Sequence, residues 1–264
     1  MKLLVIPDLH EDLDFLRYVL AAEDPADFDR VIFLGDYFDA RPPLQTSDAH
    51  LREVAETVIG LKGMLGDKMR LLCGNHDLPY YALRPSCGNG GGSPNNVIGN
   101  WLPDTTRARA EIINAVWDEA IWRGLEGGLL LDGWLFSHAG VHPRFWPGDA
   151  DSPEKAAEAF RANWREAIDR IFEESENPLF AAGHARGGAA EVGGPIWLDW
   201  DLEFEDGLDV PQIAGHTRCA QAAQKGRSFC IDFAQAAYAV VEDGEINLRV
   251  WPESWLGEAL EENG

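Results

Sequence analysis

Lysine is almost missing from this chain. Only five of its 264 residues are lysine, and with the arginines just 22 bases stand against 45 acids. The net charge of −23 excludes the clustered cationic stripe that a DNA or RNA polymer would need. Two origins fit such a surface: adaptation to a salt-rich cytoplasm, where screening relieves self-repulsion, or a generally acidic proteome. One measurement separates them. Salt adaptation predicts an unfolding midpoint that drops as KCl is withdrawn, and a protein equally stable at low salt removes that explanation.

Thiols are scarce as well. Cys73, Cys87, Cys219 and Cys230 form no CxxC pair, and Cys73 and Cys230 lie in apolar, strand-like runs where a free thiol acts as a small core residue. No structural disulfide is expected. Long hydrophobic runs are also lacking: the first, residues 3–7, gives way at once to Asp8 and His10. It has neither the length of a membrane span nor the basic start and cleavage site of a signal peptide. A cytoplasmic protein with no membrane partner is expected.

What remains is ordinary globular composition, 45% hydrophobic and 25% charged, at a length suited to one large α/β core. With no linker or repeat, residues 1–264 read as a single domain. Residues 2–7, 30–34 and 69–73 are strand-like, and residues 11–22 and 46–65 have helical spacing. That β-α-β-α-β order predicts a parallel sheet with helical crossovers. Asp8, Asp36 and Asn75 each come directly after one of the three strands. Ligands bind at the carboxyl ends of strands in such sheets, so these polar groups converge where a site is expected.

Residues 85–99, rich in Gly, Asn, Ser and Pro, read as a long loop or a lid near the site. Gly90-Gly91-Gly92 lacks the Lys-Ser or Lys-Thr that a phosphate-cradling P-loop requires. Helical patterns follow at residues 106–122 and 153–174. The second half turns to strands at residues 129–137, 212–214, 228–233, 238–242 and 246–251, the last two joined by the hairpin signal Asp243-Gly244. These predict a second, mostly antiparallel sheet. The fold class is α/β: a four-layer αββα sandwich of two mixed β-sheets flanked by helices.

Four motifs occur in order: Asp8-Leu9-His10, Gly35-Asp36-Tyr37-Phe38-Asp39, Gly74-Asn75-His76-Asp77 and Ser137-His138-Ala139-Gly140. A fifth, Gly215-His216-Thr217, comes later. Each is weak alone, but each ends an apolar run. Carboxylate, imidazole and amide oxygen without thiolate suit divalent manganese, iron or zinc. Asp8 and His10, two apart after a strand, can turn toward one ion, and Asp36 can bridge two ions with one oxygen on each. Such a pair clamps a phosphate and lowers the pKa of a shared water.

In this order the motifs resemble those of the calcineurin-like metallophosphoesterases over nearly the whole chain. Within them the pattern is closest to the phosphoprotein phosphatase branch, including its small bacterial and phage members. The resemblance implies one metal at Asp8, His10 and Asp36 and a second at Asp36, Asn75, His138 and His216, manganese first among the candidates. It implies His76 as general acid, oriented by hydrogen bonding to Asp39. A metal-bridging hydroxide would attack phosphorus in line, without a covalent enzyme intermediate.

The chain departs from the family in three places. Ala40 stands where the phosphate-gripping arginine is usual, with Arg41 next. A second candidate, Arg186, lies in Gly183-His184-Ala185-Arg186-Gly187-Gly188 ahead of Gly194-Pro195-Ile196-Trp197, which resembles the substrate-side loop of bacterial and phage members. Arg218 stands where nuclease-like branches carry another histidine, which favours a phosphatase. The expected substrate is a phosphorylated protein, at Ser, Thr or Tyr, or a small phosphoester. Hydrolysis of dinucleoside polyphosphates is the alternative.

Several residues read as structural. His50 and His142 fall outside the constellation, and His184 is the weaker rival of His216. Trp117, Trp122 and Trp164 have the spacing of core residues on helices. Asp199, Asp201, Glu203, Glu205 and Asp206 read as a solvated acidic loop.

Overall fold

Strand β1 (Lys2–Ile6) sends alternate side chains into two different cores. Leu4 and Ile6 pack in one cluster with Phe15, Leu16 and Val19 of helix α1 (Leu13–Ala22) and with Leu51, Val54 and Val58 of α2 (Asp48–Leu65). Leu3 and Val5 enter another, with Leu129, Phe136 and Ile213 from the second half of the chain. Period-two alternation in a strand covered on both faces accounts for this division. Each fully buried aliphatic side chain contributes about 1.5–3 kcal/mol.

The structure is a computed structural model describing residues 1–42, 44, 46–84, 106–171, 177–219, 221, 223–233 and 235–251. It has two mixed five-stranded sheets. Strands β2 (Arg30–Phe33) and β3 (Met69–Leu71) continue the first sheet in parallel from β1. Helices α3 (Leu78–Ala82), α4 (Arg107–Asn114) and α5 (Glu119–Gly124) follow. The second sheet begins with β4 (Leu129–Leu131) and β5 (Trp134–Phe136), then α6 (Pro153–Asp169) crosses its outer face. Phe160 of α6 packs there with Leu135. Strands β6 (Gln212–Ala214), β7 (Ala223–Lys225) and β8 (Ser228–Cys230) complete that sheet. The hairpin of β9 (Ala237–Glu242) and β10 (Glu245–Val250) closes the chain's strand order. The layers are helices, sheet, sheet and helix, as the αββα reading requires.

Four details differ from the sequence reading. The second sheet is not mostly antiparallel: β5–β6 and β6–β8 pair in parallel. The hairpin β9–β10 joins the first sheet, beside β1. Only Glu242 of β9 is exposed, and a run buried on both faces belongs in a sheet's interior. The run 129–137 is two strands, because Asp132 and Gly133 adopt left-handed conformations (φ 50° and 79°) and turn the chain back. The helical pattern 106–122 divides into α4 and α5, with Asp118 capping the second through the Ile121 amide.

Helix α6 ends at Asp169, five residues short of the expected 174, of which 172–174 lie outside the described residues, as does the loop 85–99. Among the described residues no helix is long and apolar enough to cross a membrane.

Candidate metal centre

Asp8, Asp36, Asn75, His138 and His216 follow β1, β2, β3, β5 and β6, so both sheets deliver their strand ends to one place. The chain turns abruptly there. His10, Glu11, Asp36, Asp39 and His216 all have positive φ, between 44° and 65°, which costs a non-glycine residue about 1 kcal/mol or more each. Hydrogen bonds hold these conformations. The Leu9 and His10 amides donate to the Asp36 carbonyl at 3.0 and 2.8 Å, and the His216 amide donates to Asp8 Oδ1 at 3.0 Å. Two glycines admit the carboxylates. A Cβ on Gly74 would stand 2.0 Å from Asp36 Oδ1, and one on Gly215 would stand 2.2 Å from Asp8 Oδ1.

The hydrogen-bond inventory shows what the cluster is built to hold. His10 Nδ1 lies 2.7 Å from the Asp39 carbonyl, which only accepts, so Nδ1 carries a proton and Nε2 is the nitrogen left to take up a further proton or a metal cation. That Nε2 is buried without a hydrogen-bond partner, 3.3 Å from Asp36 Oδ2 and 3.7 Å from Asp8 Oδ2. His138 repeats the arrangement: Nδ1 donates to the Leu34 carbonyl at 3.0 Å. Its Nε2 lone pair then faces Asn75 Oδ1 at 3.0 Å, His216 Nδ1 at 3.2 Å and Asp36 Oδ2 at 3.5 Å. Asn75 Oδ1 and Asp36 Oδ2 only accept, so their approach to that lone pair is repulsive unless a proton or a metal cation stands between them. Backbone carbonyls that fix the far nitrogen of each imidazole are the usual support of a metal-ligating histidine.

Asp36 is the common member. Its Oδ2 is buried without a hydrogen-bond partner. Donor atoms of His10, Asp36 and His76 lie within 4.8 Å of one another, and so do those of Asp36, His138 and His216. Two cation positions sharing one carboxylate fit this donor set.

Electrostatics agree. Burial alone would raise the Asp36 carboxyl, but His138, His76 and His10 outweigh it and hold it well below its ordinary value. Asp8 is likewise lowered against burial, by His138, His10 and Arg41. Burial pushes the His216 imidazole well down, helped by His138 and Arg186, so it stays neutral as a ligand must. Burial and Arg41 disfavour charge on His10, yet Asp36 and Asp8 prevail and raise it to about 9. The pocket attracts positive charge at that nitrogen.

His76 stands at the edge, a quarter exposed, with Nδ1 2.9 Å from Asp39 Oδ2 and its amide donating to Asp36 Oδ1 at 2.9 Å. Asp39 is anchored further. The Tyr80 hydroxyl donates to its Oδ1, Arg109 donates to Tyr80 and to Glu11, and Glu11 accepts the Asp39 amide at 2.9 Å. Glu11, Tyr80 and Arg109 were not singled out by sequence reasoning. They lie up to 98 positions apart, and only the position of Glu11 beside His10 hinted at a role.

The two arginines are both near the cluster. Arg41 NH1 donates to both oxygens of buried Asp232, and its NH2 donates to Asp8 Oδ2 at 2.9 Å. Arg186 NH2 donates to the Thr217 hydroxyl at 2.6 Å, one residue from His216, and its Nε lies 2.8 Å from Asp199 without hydrogen-bond alignment. The acidic loop is only partly solvated. Glu203 is buried and accepts the Gly193 and Asp199 amides at 3.1 Å, while Asp206 accepts the Ser228 hydroxyl. Glu203 ties together residues 185, 193 and 199 of the 183–199 segment.

Asp77 is another residue the motif contained without a stated role: it accepts the Asp36, Tyr37 and Gly74 amides at 2.8–2.9 Å. His184 is exposed and outside both donor groups. His50 bonds the Glu11 carbonyl, His142 caps a short turn, and Trp117, Trp122 and Trp164 are buried in the core.

Comparison with known proteins gives the same reading. The family profile of the calcineurin-like phosphoesterases matches residues 1–219. A sequence search of curated proteins finds no match. Among solved structures, a cold-active protein-tyrosine phosphatase from a psychrophilic Shewanella species is similar at TM-score 0.57 and 15% identity, over 95% of this chain and 78% of that one. A protein serine/threonine phosphatase from Saccharomyces cerevisiae is similar at TM-score 0.51 and 14% identity, over 94% and 79%. At such identities these likenesses speak for the fold, whereas the profile match speaks for descent. The chain belongs to the calcineurin-like phosphoesterases, a family of metal-dependent phosphoester hydrolases.

Proposed function

We propose that this chain is a phosphomonoesterase of the protein phosphatase type, acting on phosphoserine, phosphothreonine or phosphotyrosine. The observation that carries the reading is the pair of donor groups sharing Asp36, with histidine lone pairs aimed inward. Asp8, His10 and Asp36 would hold one divalent cation, and Asp36, Asn75, His138 and His216 the other, manganese being favoured over iron or zinc. When bound, the pair supplies Lewis acidity toward phosphate oxygens and a water acidified for in-line attack. The single domain read from the sequence, 1–264, reaches beyond the matched 1–219, a reading supported by β9 and β10, which belong to the first sheet.

The chain's own groups do the rest. His76, with Nδ1 engaged by Asp39, donates the Nε2 proton to the leaving alcohol oxygen, and Tyr80 holds Asp39 in place. Asn75 contributes to holding the phosphate, and Arg41 and Arg186 grip its oxygens from the Asp8 side and from beside Thr217. Arg218, exposed, stands in place of a further metal-ligating histidine and favours a phosphatase over a nuclease.

The test is a side-by-side rate comparison of phosphopeptides, diadenosine tetraphosphate and bis-para-nitrophenyl phosphate, with manganese and with chelator. Phosphopeptides are expected to be fastest, with all activity lost to the chelator. A faster diadenosine tetraphosphate would move the assignment to small nucleotide esters, and a faster diester would overturn the monoesterase. His76→Asn is expected to slow an alkyl phosphate by about 10²–10⁴-fold and para-nitrophenyl phosphate far less, since that leaving group needs no proton. A wild-type rate on the alkyl ester would remove His76 as the acid.

A further inference from the structure

Away from the metal centre, cations of this acidic chain gather around a cavity of about 400 Å³. Arg30, Lys62, Arg70, Arg123, Arg161 and Arg165 line it, six of the chain's 22 bases, against two acids, Asp67 and Glu126. Arg30 opens β2 and Arg70 lies in β3, so the cavity is at the amino ends of those strands, whereas the metal centre is at their carboxyl ends. From Arg30 to Asp36 the chain advances about 20 Å at about 3.3 Å per residue.

The pairing of these cations is incomplete. Glu126 accepts Arg70 Nε at 2.8 Å, and its other oxygen is 3.8 Å from Arg161 Nε, beyond hydrogen-bond reach. Arg161 Nε and Arg30 Nε are buried donors without an acceptor. Lys62 gives two protons to the Gly66 and Met69 carbonyls, at 2.8 and 2.7 Å, and keeps one. Arg70 is well matched by Glu126, and Arg123 by Glu119 and Asp169. Buried N–H groups without acceptors are destabilising, and their excess in a concave, cationic wall is relieved by an anion. The overall charge does not oppose this, because contact-distance pairs outweigh charges screened beyond about 8–10 Å.

We propose that this cavity binds a small polyanion with at least two phosphate groups, the chemistry common to pyrophosphate, tripolyphosphate and a nucleoside triphosphate tail. The cations come from β2, the end of α2, β3, α5 and α6, and six of them against two acids leave about four positive charges, about twice what a single phosphate of about −1.5 to −2 neutralises. The volume is that of a small-molecule site. The site is independent of the metal-centre assignment and shares no residue with it.

Calorimetric titration of protein dialysed free of divalent cations tests this, with phosphate, pyrophosphate, tripolyphosphate and ATP as titrants. Pyrophosphate and tripolyphosphate are expected to saturate one site that phosphate fills far more weakly. Arg161→Gln with Arg165→Gln should weaken that site at least tenfold, and so should Arg165→Glu alone, an exposed change that leaves the fold intact. Manganese-dependent turnover of para-nitrophenyl phosphate should stay at the wild-type rate in both variants. ATP tighter than tripolyphosphate identifies a nucleotide as the ligand, and ATP equal to it identifies the phosphate chain; both support the site. Equal affinity in wild type and Arg165→Glu, or no saturable binding at millimolar titrant, overturns it.

Discussion

Asp36→Asn is expected to abolish binding of both cations together, not of one. Asp36 Oδ1 accepts the His76 amide, so an asparagine keeps its carbonyl there and places its NH₂ where Oδ2 now stands. That position faces His10 Nε2 at 3.3 Å and His138 Nε2 at 3.5 Å. Two N–H donors would then satisfy the histidine nitrogens that would otherwise hold the cations, and the negative charge common to both donor groups would be gone. Metal affinity at each position should fall by more than the roughly 10–100-fold typical of disturbing a ligand's support. Losing several kcal/mol of charge stabilisation corresponds to about 10³-fold or more in kcat/KM. Metal content after gel filtration reads the first effect directly. One cation retained at wild-type affinity would show that Asp36 serves only one of them.

The largest effect on stability is expected at Asp77. Its carboxylate is fully buried and receives three backbone amides, those of Asp36, Tyr37 and Gly74. Burial and neighbouring Asp36 push its pKa well up, and the three donors oppose them. In Asp77→Ala all three amides lose their acceptor where water does not reach. At about 1–3 kcal/mol for each unsatisfied buried donor, less what is regained by removing a buried charge, the net loss is about 3–5 kcal/mol. That is a large share of the 5–15 kcal/mol available to an ordinary domain. Asp77→Asn should lose less, because its carbonyl can still accept from Asp36 and Gly74 at the Oδ2 position while its NH₂ opposes the Tyr37 amide. Denaturant unfolding ranks the variants: wild type, then Asn, then Ala. An alanine variant with an unchanged midpoint would mean that those amides find other acceptors.

Asp36 and Asp77 mark where sequence reading ends. Asp36 stood out because an acidic residue directly after an apolar run, beside a glycine, marks a strand end in an α/β sheet. Asp77 is in an equally conspicuous motif, but its partners are up to 41 positions away, so its task of tying two strand ends together was not legible. Arg41 is a candidate from its nearness to Asp39 in the chain. Its ion pair with Asp232 spans 191 positions and reflects only the way β8 runs beside β6.

Local pattern was a weaker guide to pairing. Residues 238–242 and 246–251 read correctly as a hairpin, because a turn is a short-range property. Which sheet received that hairpin depended on β9 being apolar on both faces, and therefore on an open position beside β1. The acidic stretch 199–206 misled for the converse reason. Carboxylates usually face water, but Glu203 turns inward because the glycine-rich loop beside it exposes amides that need an acceptor.

By itself, then, the sequence determined the α/β class, the crossover order of the first three strands and the identity of the metal-binding candidates, since strand periodicity and polar strand ends are local. Tertiary structure alone decided which ring nitrogen of His10 and of His138 carries a proton, the place of Asp36 in both donor groups, the anchoring of Asp39 through Tyr80 and Arg109, and the gathering of scarce cations into one cavity. Each of these depends on atoms brought within about 3 Å by the packing of distant segments, a distance at which hydrogen bonds and charge pairs act and which chain order does not encode.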